Sequence, residues 1–274
     1  MNKRVVNWVA LGLLWTAAVT TVVVLFAVIL YVFVNGIGQL SFEFIFTWPK
    51  GVNAEGGIWP TIVSTLYVTA LAMLIVTPIA VLAAVYLAEY AVQGRLVNTI
   101  RFAADSLASV PSIVMGLFGL ALFVEAMEIG FSMLSAALAL SFLMLPIVMR
   151  TTEEAIRSVP KYIRWGSYGL GATKWQTVRR TVIPAAMPRI LTGLILATGR
   201  AVGETAVVIY TMGQAINLPI SPLDSGRPMT VHLYLLAMEG INLPAAYGTA
   251  LLLMIMILVF NLSARYILRR ARKV

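Results

Sequence analysis

The sequence contains no cysteine, only one histidine, His232, and few charges: Asp, Glu, Lys and Arg make up 11% of its 274 residues. Without cysteine there is no disulfide framework, no thiolate metal site and no cysteine nucleophile. One histidine cannot assemble a metal site alone, so no bound metal is expected. Neither H-E-x-x-H nor G-x-S-x-G occurs, which leaves an enzyme reading without a nucleophile–base pair or a ligand set. A G-x-x-x-x-G-K-[ST] loop is missing as well, so no segment is suited to cradle nucleotide phosphates. Nothing repeats at a period of about 20 to 50 residues and no tract is of low complexity, which argues against a solenoid or a linker-joined array.

What the chain has in abundance is apolar side chain, 60% of all residues, with a mean hydropathy of +0.91. Soluble domains carry about 45–50%, so an all-α integral membrane protein is expected. Crossing about 30 Å of hydrocarbon takes about 20 helical residues. Six segments meet that length: residues 8–34, 60–88, 107–126, 131–149, 188–212 and 243–267. They define one transmembrane domain over residues 1–274. Lys3 and Arg4 precede the first segment as in a signal peptide. Its apolar run is too long for one and no small-x-small cleavage pattern follows, so a retained span is expected.

The net charge of +9 would suggest nucleic acid only if the basic residues clustered on a water-exposed domain, and no such domain is present. Topology explains it instead. All of the 20 basic residues except Lys50, Arg227 and Arg200 fall in connections on one side. By the positive-inside rule that side, with both termini, is cytoplasmic. The outer connection, residues 213–242, is rich in turn formers and is expected to dip back or to meet an external partner.

The cytoplasmic connection, residues 150–187, reads as two short helices. Ser158 is placed to cap the first, with Pro160 in its opening turn, and Gly169 and Gly171 end it. Thr173 and Gln176 then form a capping box that starts a second helix running toward Pro184. Along it Trp175, Val178 and Val182 make an apolar stripe, with Lys174, Arg179 and Arg180 off it. Such a segment suits either docking into a protein groove or lying on anionic lipid. Gly171 followed, after nine residues, by Thr181-Val182-Ile183-Pro184 resembles the cytoplasmic loop of ABC importer permeases. The resemblance implies that this loop sits in a groove of a partner ATPase. Trp165-Gly166-Ser167 stands where that family carries Glu-Ala-Ala.

The fifth segment holds GRAVGETA, with Arg200 and Glu204 four residues apart. Arg200 lies roughly 18 Å along a helix from Pro188, near mid-bilayer. Charges at that depth cost about 2.5–3.5 kcal/mol each and are expected to face protein or water. Gly199 with Gly203, like Ala197 with Ala201, would let another helix approach closely. On a continuous helix Arg200 and Glu204 share a face and can pair. A guanidinium suits a tetrahedral oxyanion. Glu204 is expected to hold Arg200 in position, or to accept a hydrogen bond from a protonated oxyanion. Pro111-Ser112 is expected to mark a pathway wall or a plain kink, while Asp105, Glu125 and Glu128 fall at span ends and receive no role.

GGIWPTIVSTLYVTAL, AVYLAEYA, SLASVPSIVMGLFGL, LGATKWQTVRRTVIPAAMPRILTG and GRAVGETA together resemble the phosphate-specific ABC importer permeases of the A type. The resemblance implies the type I importer permease fold and a non-catalytic inner-membrane subunit. It also implies a second permease of the C type, two ATP-binding subunits that use ATP and magnesium, and a periplasmic phosphate-binding protein. Arg200 and Glu204 match the family's arginine and glutamate associated with phosphate passage. Sulfate and molybdate permeases carry a similar motif and are the alternative. A membrane scaffold without a pathway is disfavoured by the charge at Arg200.

Overall fold

Unbroken apolar runs fold first into long helices, and the places where proline, glycine or charge interrupts them position the site. The computed structural model describes residues 3–50 and 55–271, so Arg272 and Lys273, counted above among the basic residues, lie outside the described part. Helix α1 (Lys3–Gly36) covers the first predicted span. Beyond it come α2 (Phe42–Phe46), capped by Ser41, and the antiparallel pair β1 (Pro49–Lys50) and β2 (Glu55–Gly56). The second span is α3 (Trp59–Val85), extended by a π-helical turn over Tyr86–Tyr90.

The third span, expected over residues 107–126 with a wall or kink at Pro111-Ser112, is two helices that meet at a sharp corner. α4 (Arg95–Ala108) stops short of Pro111, and α5 (Ser112–Gly119), prolonged by a π-helical turn over Leu120–Ala126, leaves at 99° to it. The cause is local. Pro111 holds an extended ψ of 139°, and proline also biases the residue before it away from helix. Leu107 and Ala108 therefore belong to α4, a helix of mixed polarity with only Val97 and Ala104 fully buried.

The fourth span, α6 (Met133–Arg157), runs past residue 149. α7 (Lys161–Gly169) follows, then α8 (Lys174–Thr177), a π-helical turn over Val178–Val182 and α9 (Ile183–Val202). The last three form one apolar helix, Lys174–Val202. The second helix of the loop does not end at Pro184, as the sequence suggested, but becomes the fifth span. Pro184 falls in the first turn of α9, directly after the π-helical turn, a position at which the helix tolerates proline. α10 (Ala206–Thr211), α11 (Met229–Met238) and α12 (Leu243–Ala271) complete the chain.

α6 is the axis: 67% of its apolar window lies inside the fold, against none of α1. Apolar side chains gain little by leaving lipid for protein, so association rests on close packing of small residues. Ala72, Ala80 and Ala84 of α3 meet a core with Ala136, Ala137 and Ala139 of α6, and Ser141 donates to the Ala72 carbonyl at 3.1 Å. Gly193 of α9 leaves room for Thr151 of α6, where a β-carbon would collide.

The 213–242 connection packs on the start of α6. The Met133 and Leu134 N–H groups donate to Asp224 and Pro222 carbonyls at 2.8 and 2.7 Å, so loop carbonyls satisfy donors that the start of α6 leaves open. Ile220 and Ser221 N–H groups both donate to the Asp224 carboxylate, which holds it below the usual carboxylate range. Beyond this loop, α11 buries His232, so the histidine is core.

Candidate functional site: the break in the fifth span

GRAVGETA is not continuous helix. α9 ends at Val202, Gly203 closes it, and helix resumes only at Ala206. Glu204 thus leaves the turn above Arg200, and the expected shared face does not exist. Among the described residues no ion pair or hydrogen bond joins the two side chains. The Glu204 N–H still reaches the Ala201 carbonyl at 3.2 Å, while its own carbonyl accepts from the Thr230 hydroxyl of α11 at 2.9 Å. A polar side chain from another helix thereby satisfies a carbonyl that the unwound turn frees, as the bilayer requires.

The α9 helix has two distinct faces. Gly193, Ala197 and Ala201 are buried, whereas Arg189, Thr192, Leu196, Arg200 and Gly203 form an exposed stripe. Arg200 points away from the bundle and takes no partner among the described residues. Among the described residues no helix makes the close approach expected at Gly199 and Gly203. A β-carbon on Gly199 would stand 4.0 Å from the Asn261 side chain, and one on Gly203 would meet only carbonyls of its own turn. The tight contact at the break lies elsewhere: a β-carbon on Gly116 of α5 would come within 2.7 Å of the Ala206 carbonyl.

That contact brings the start of α5 to the break. A cavity of about 690 Å³ opens there, lined by Ile113, Thr205, Tyr210, Gln214, Thr230 and Tyr234 among others. Pro111 is exposed and Ser112 half-buried just before Ile113, so this step adjoins the break without lining the cavity itself. Thr230, Gln214 and Tyr234 escaped the sequence reading because they come from the outer connection, where nothing in the spacing ties them to GRAVGETA. Gly116 left a signal in the glycines of SIVMGLFG.

At the basic end the loop folds as two helices. Gly171 adopts φ of +83°, and its N–H and that of Ala172 reach back to the Tyr168 and Ser167 carbonyls at 2.9 and 3.2 Å, a Schellman closure. The capping box forms, with Thr173 N–H donating to Gln176 Oε1 at 2.9 Å and Gln176 N–H to Thr173 Oγ1 at 3.4 Å. Ser158 instead closes α6, donating to the Ala155 carbonyl, and Pro160 stands as the residue before α7. Val178 and Val182 are fully buried against Ala155, Ile156 and Ile190. Trp175 does not join their stripe: it is 56% exposed, and Tyr162, Trp165 and Leu170 of the same loop are exposed as well.

The helix Lys174–Val202 thus runs unbroken from the 150–187 loop to an exposed arginine in its last turn, within a bundle of membrane-length apolar helices. The chain belongs to the family of binding-protein-dependent transport system inner membrane components, whose profile matches residues 77–273. It is 38% identical to the probable ABC transporter permease protein YqgI of Bacillus subtilis (strain 168), over 97% of this chain and 96% of that protein. It is 34% identical to the phosphate transport system permease protein PstA 1 of Mycobacterium tuberculosis (strain ATCC 25618 / H37Rv), over 100% and 92%. Among solved structures, a permease chain of a bacterial alginate ABC transporter bound to its periplasmic protein superposes with a TM-score of 0.73, at 16% identity over 96% of this chain and 95% of that one. An inward-facing MetNI methionine ABC transporter matches at 0.62, with 20% identity over 78% and 94%. The protein is therefore a non-catalytic, multi-pass inner-membrane permease subunit with the type I importer fold. Such permeases work with a partner permease, an ATPase and a substrate-binding protein.

Proposed function

We propose that the chain forms half of the pathway of an ATP-driven importer of inorganic phosphate. The observation that carries this reading is the placement of Arg200, exposed beside the break in the fifth span and without a partner among the described residues. An unpaired guanidinium on a face the chain leaves open is suited to line a passage completed by a second permease, where it offers paired donors to a tetrahedral oxyanion. Glu204, half-buried two residues past the end of α9, is suited to accept a hydrogen bond from the proton that hydrogen phosphate carries and sulfate lacks. Phosphate is the substrate printed in the names of relatives from Mycobacterium tuberculosis and Haemophilus influenzae, 34% and 32% identical.

In this reading the partner permease is of the C type, and a periplasmic phosphate-binding protein delivers the ion. Two ATP-binding subunits use ATP and magnesium, and this chain binds no cofactor. The 150–187 loop and both termini face the cytoplasm. The exposed Trp165, Leu170 and Trp175 side chains and the Gly171–Thr173 turn seat the loop in the ATPase, while Val178 and Pro184 carry it into the fifth span.

The test is uptake of labelled phosphate into vesicles holding the complete complex, wild type against Arg200→Ala. Loss of uptake of about 100-fold or more, with assembly and ATP hydrolysis retained, is the expected result. Unchanged uptake removes the site. Competition by sulfate or molybdate at equal concentration would move the substrate to another oxyanion.

A further inference from the structure

Two adjacent residues at the end of the second span hold both halves of the 150–187 loop. Glu89 and Tyr90 close the π-helical turn Tyr86–Tyr90 that extends α3. Arg164, in the middle of α7, donates Nε to Glu89 Oε1 at 3.0 Å. Its other nitrogens donate to the Val159 and Ile156 carbonyls at 2.6 and 2.9 Å. Both side chains are largely enclosed, Arg164 at 16% and Glu89 at 7% exposure. The second half is gripped by the neighbouring ring: Lys174, which opens α8, places Nζ 5.0 Å from the centre of Tyr90.

A buried ion pair is a poor way to gain stability, because desolvation consumes much of the attraction and apolar packing would often hold as well. What it supplies here is direction. The arginine fork fixes α7 to one carboxylate and, at the same time, to carbonyls at the end of α6 and in the turn just after it. Apolar contacts alone could slide. The loop is covalently continuous with the fifth span through α8 and α9, but it has no such continuity with α3.

We propose that Glu89 is a positioning residue for energy coupling: through Arg164 it links the loop to the second span, so that displacement of the loop by the ATPase moves the end of α3 together with the fifth span. This inference rests on the permease reading above.

The experiment uses the complete four-component transporter in proteoliposomes and reads ions taken up per ATP hydrolysed, with the loaded binding protein supplied. Glu89→Gln is expected to assemble, to keep ATP hydrolysis within about twofold of wild type and to lower the uptake ratio about tenfold. The charge-exchanged pair, Glu89→Arg with Arg164→Glu, is expected to recover a substantial part of that ratio, which a merely structural defect would not do. Should Glu89→Gln fail to assemble, Arg164→Lys keeps the charge while losing the fork and is expected to lower the same ratio. A wild-type ratio in whichever of these two variants assembles overturns the proposal, as does a parallel fall of uptake and hydrolysis that leaves the ratio unchanged. A wild-type complex that imports sulfate and not phosphate would overturn the substrate assigned above while leaving the ratio measurable with sulfate.

Discussion

The Thr230 hydroxyl donates to the Glu204 carbonyl across 2.9 Å, so that the unwound turn of the fifth span is pinned to α11. The bond gives a part-buried carbonyl of the broken helix its partner. Thr230→Val keeps the shape and removes the donor, leaving that carbonyl unsatisfied at a cost of about 1–3 kcal/mol. The expected outcome is a complex that assembles but unfolds earlier on heating and takes up phosphate more slowly, while Thr230→Ser retains both properties.

Gly116 and Ala206 make the second contact on which the break depends. A β-carbon at position 116 would lie 2.7 Å from a backbone carbonyl, which cannot swing aside as a side chain would. Gly116→Ala must therefore part α5 from α10, and a destabilisation of about 1–3 kcal/mol is expected. Thermal unfolding of the purified complex measures it. Gly12→Ala is the control, because a β-carbon there meets nothing within 4 Å.

Hydropathy made most of the bundle legible, since long apolar runs have few alternatives to spanning helix. The capping box and the Gly171 turn were legible for a different reason: their hydrogen bonds are local, so spacing alone specifies them. Direction was not legible. Pro111 announced a kink but not one of 99°, and a count of apolar residues could not tell that Leu107 and Ala108 precede the corner. The same limit applied at Arg200 and Glu204. Apolar residues continue to Met212, which reads as one span, and only Gly203 hinted that the helix stops. Whether a helix unwinds there is settled by Thr230 and Gly116, which stabilise the open turn from elsewhere in the chain. Trp175 fell off its predicted stripe because periodicity cannot separate a residue packed in its own chain from one left exposed.

Gly171 tests the loop independently of the pathway. It sits at φ of +83° with open space around it, so what forbids a side chain is backbone conformation and not crowding. Gly171→Ala is expected to cost about 1–2 kcal/mol, and to loosen the turn that sets α7 against α8. Retention of the ATP-binding subunit on the immobilised permease, at increasing salt, is expected to fall. Gly166→Ala, in α7 with equally open space and no positive φ, leaves it unchanged.

Charge on α6 holds α4 in place before its sharp turn into α5. Glu153 of α6 is 2% exposed, and Arg101 of α4 and Arg157 each place a nitrogen 2.8 Å from its Oε1. Arg150 approaches the other oxygen at 3.9 Å and also pairs with Asp105 of α4. The two acidic residues are not equivalent. Glu153→Gln leaves buried arginine charge without its counter-ion, a loss of about 3–5 kcal/mol. Asp105 has 54% of its side chain in contact with solvent, where screening reduces an ion pair to about 0–1 kcal/mol. Asp105→Asn is therefore expected to leave the unfolding temperature of the complex nearly unchanged, and Glu153→Gln to lower it strongly. A similar response to both would mean that α4 is held by its apolar face through Val97 and Ala104 and not by the buried carboxylate.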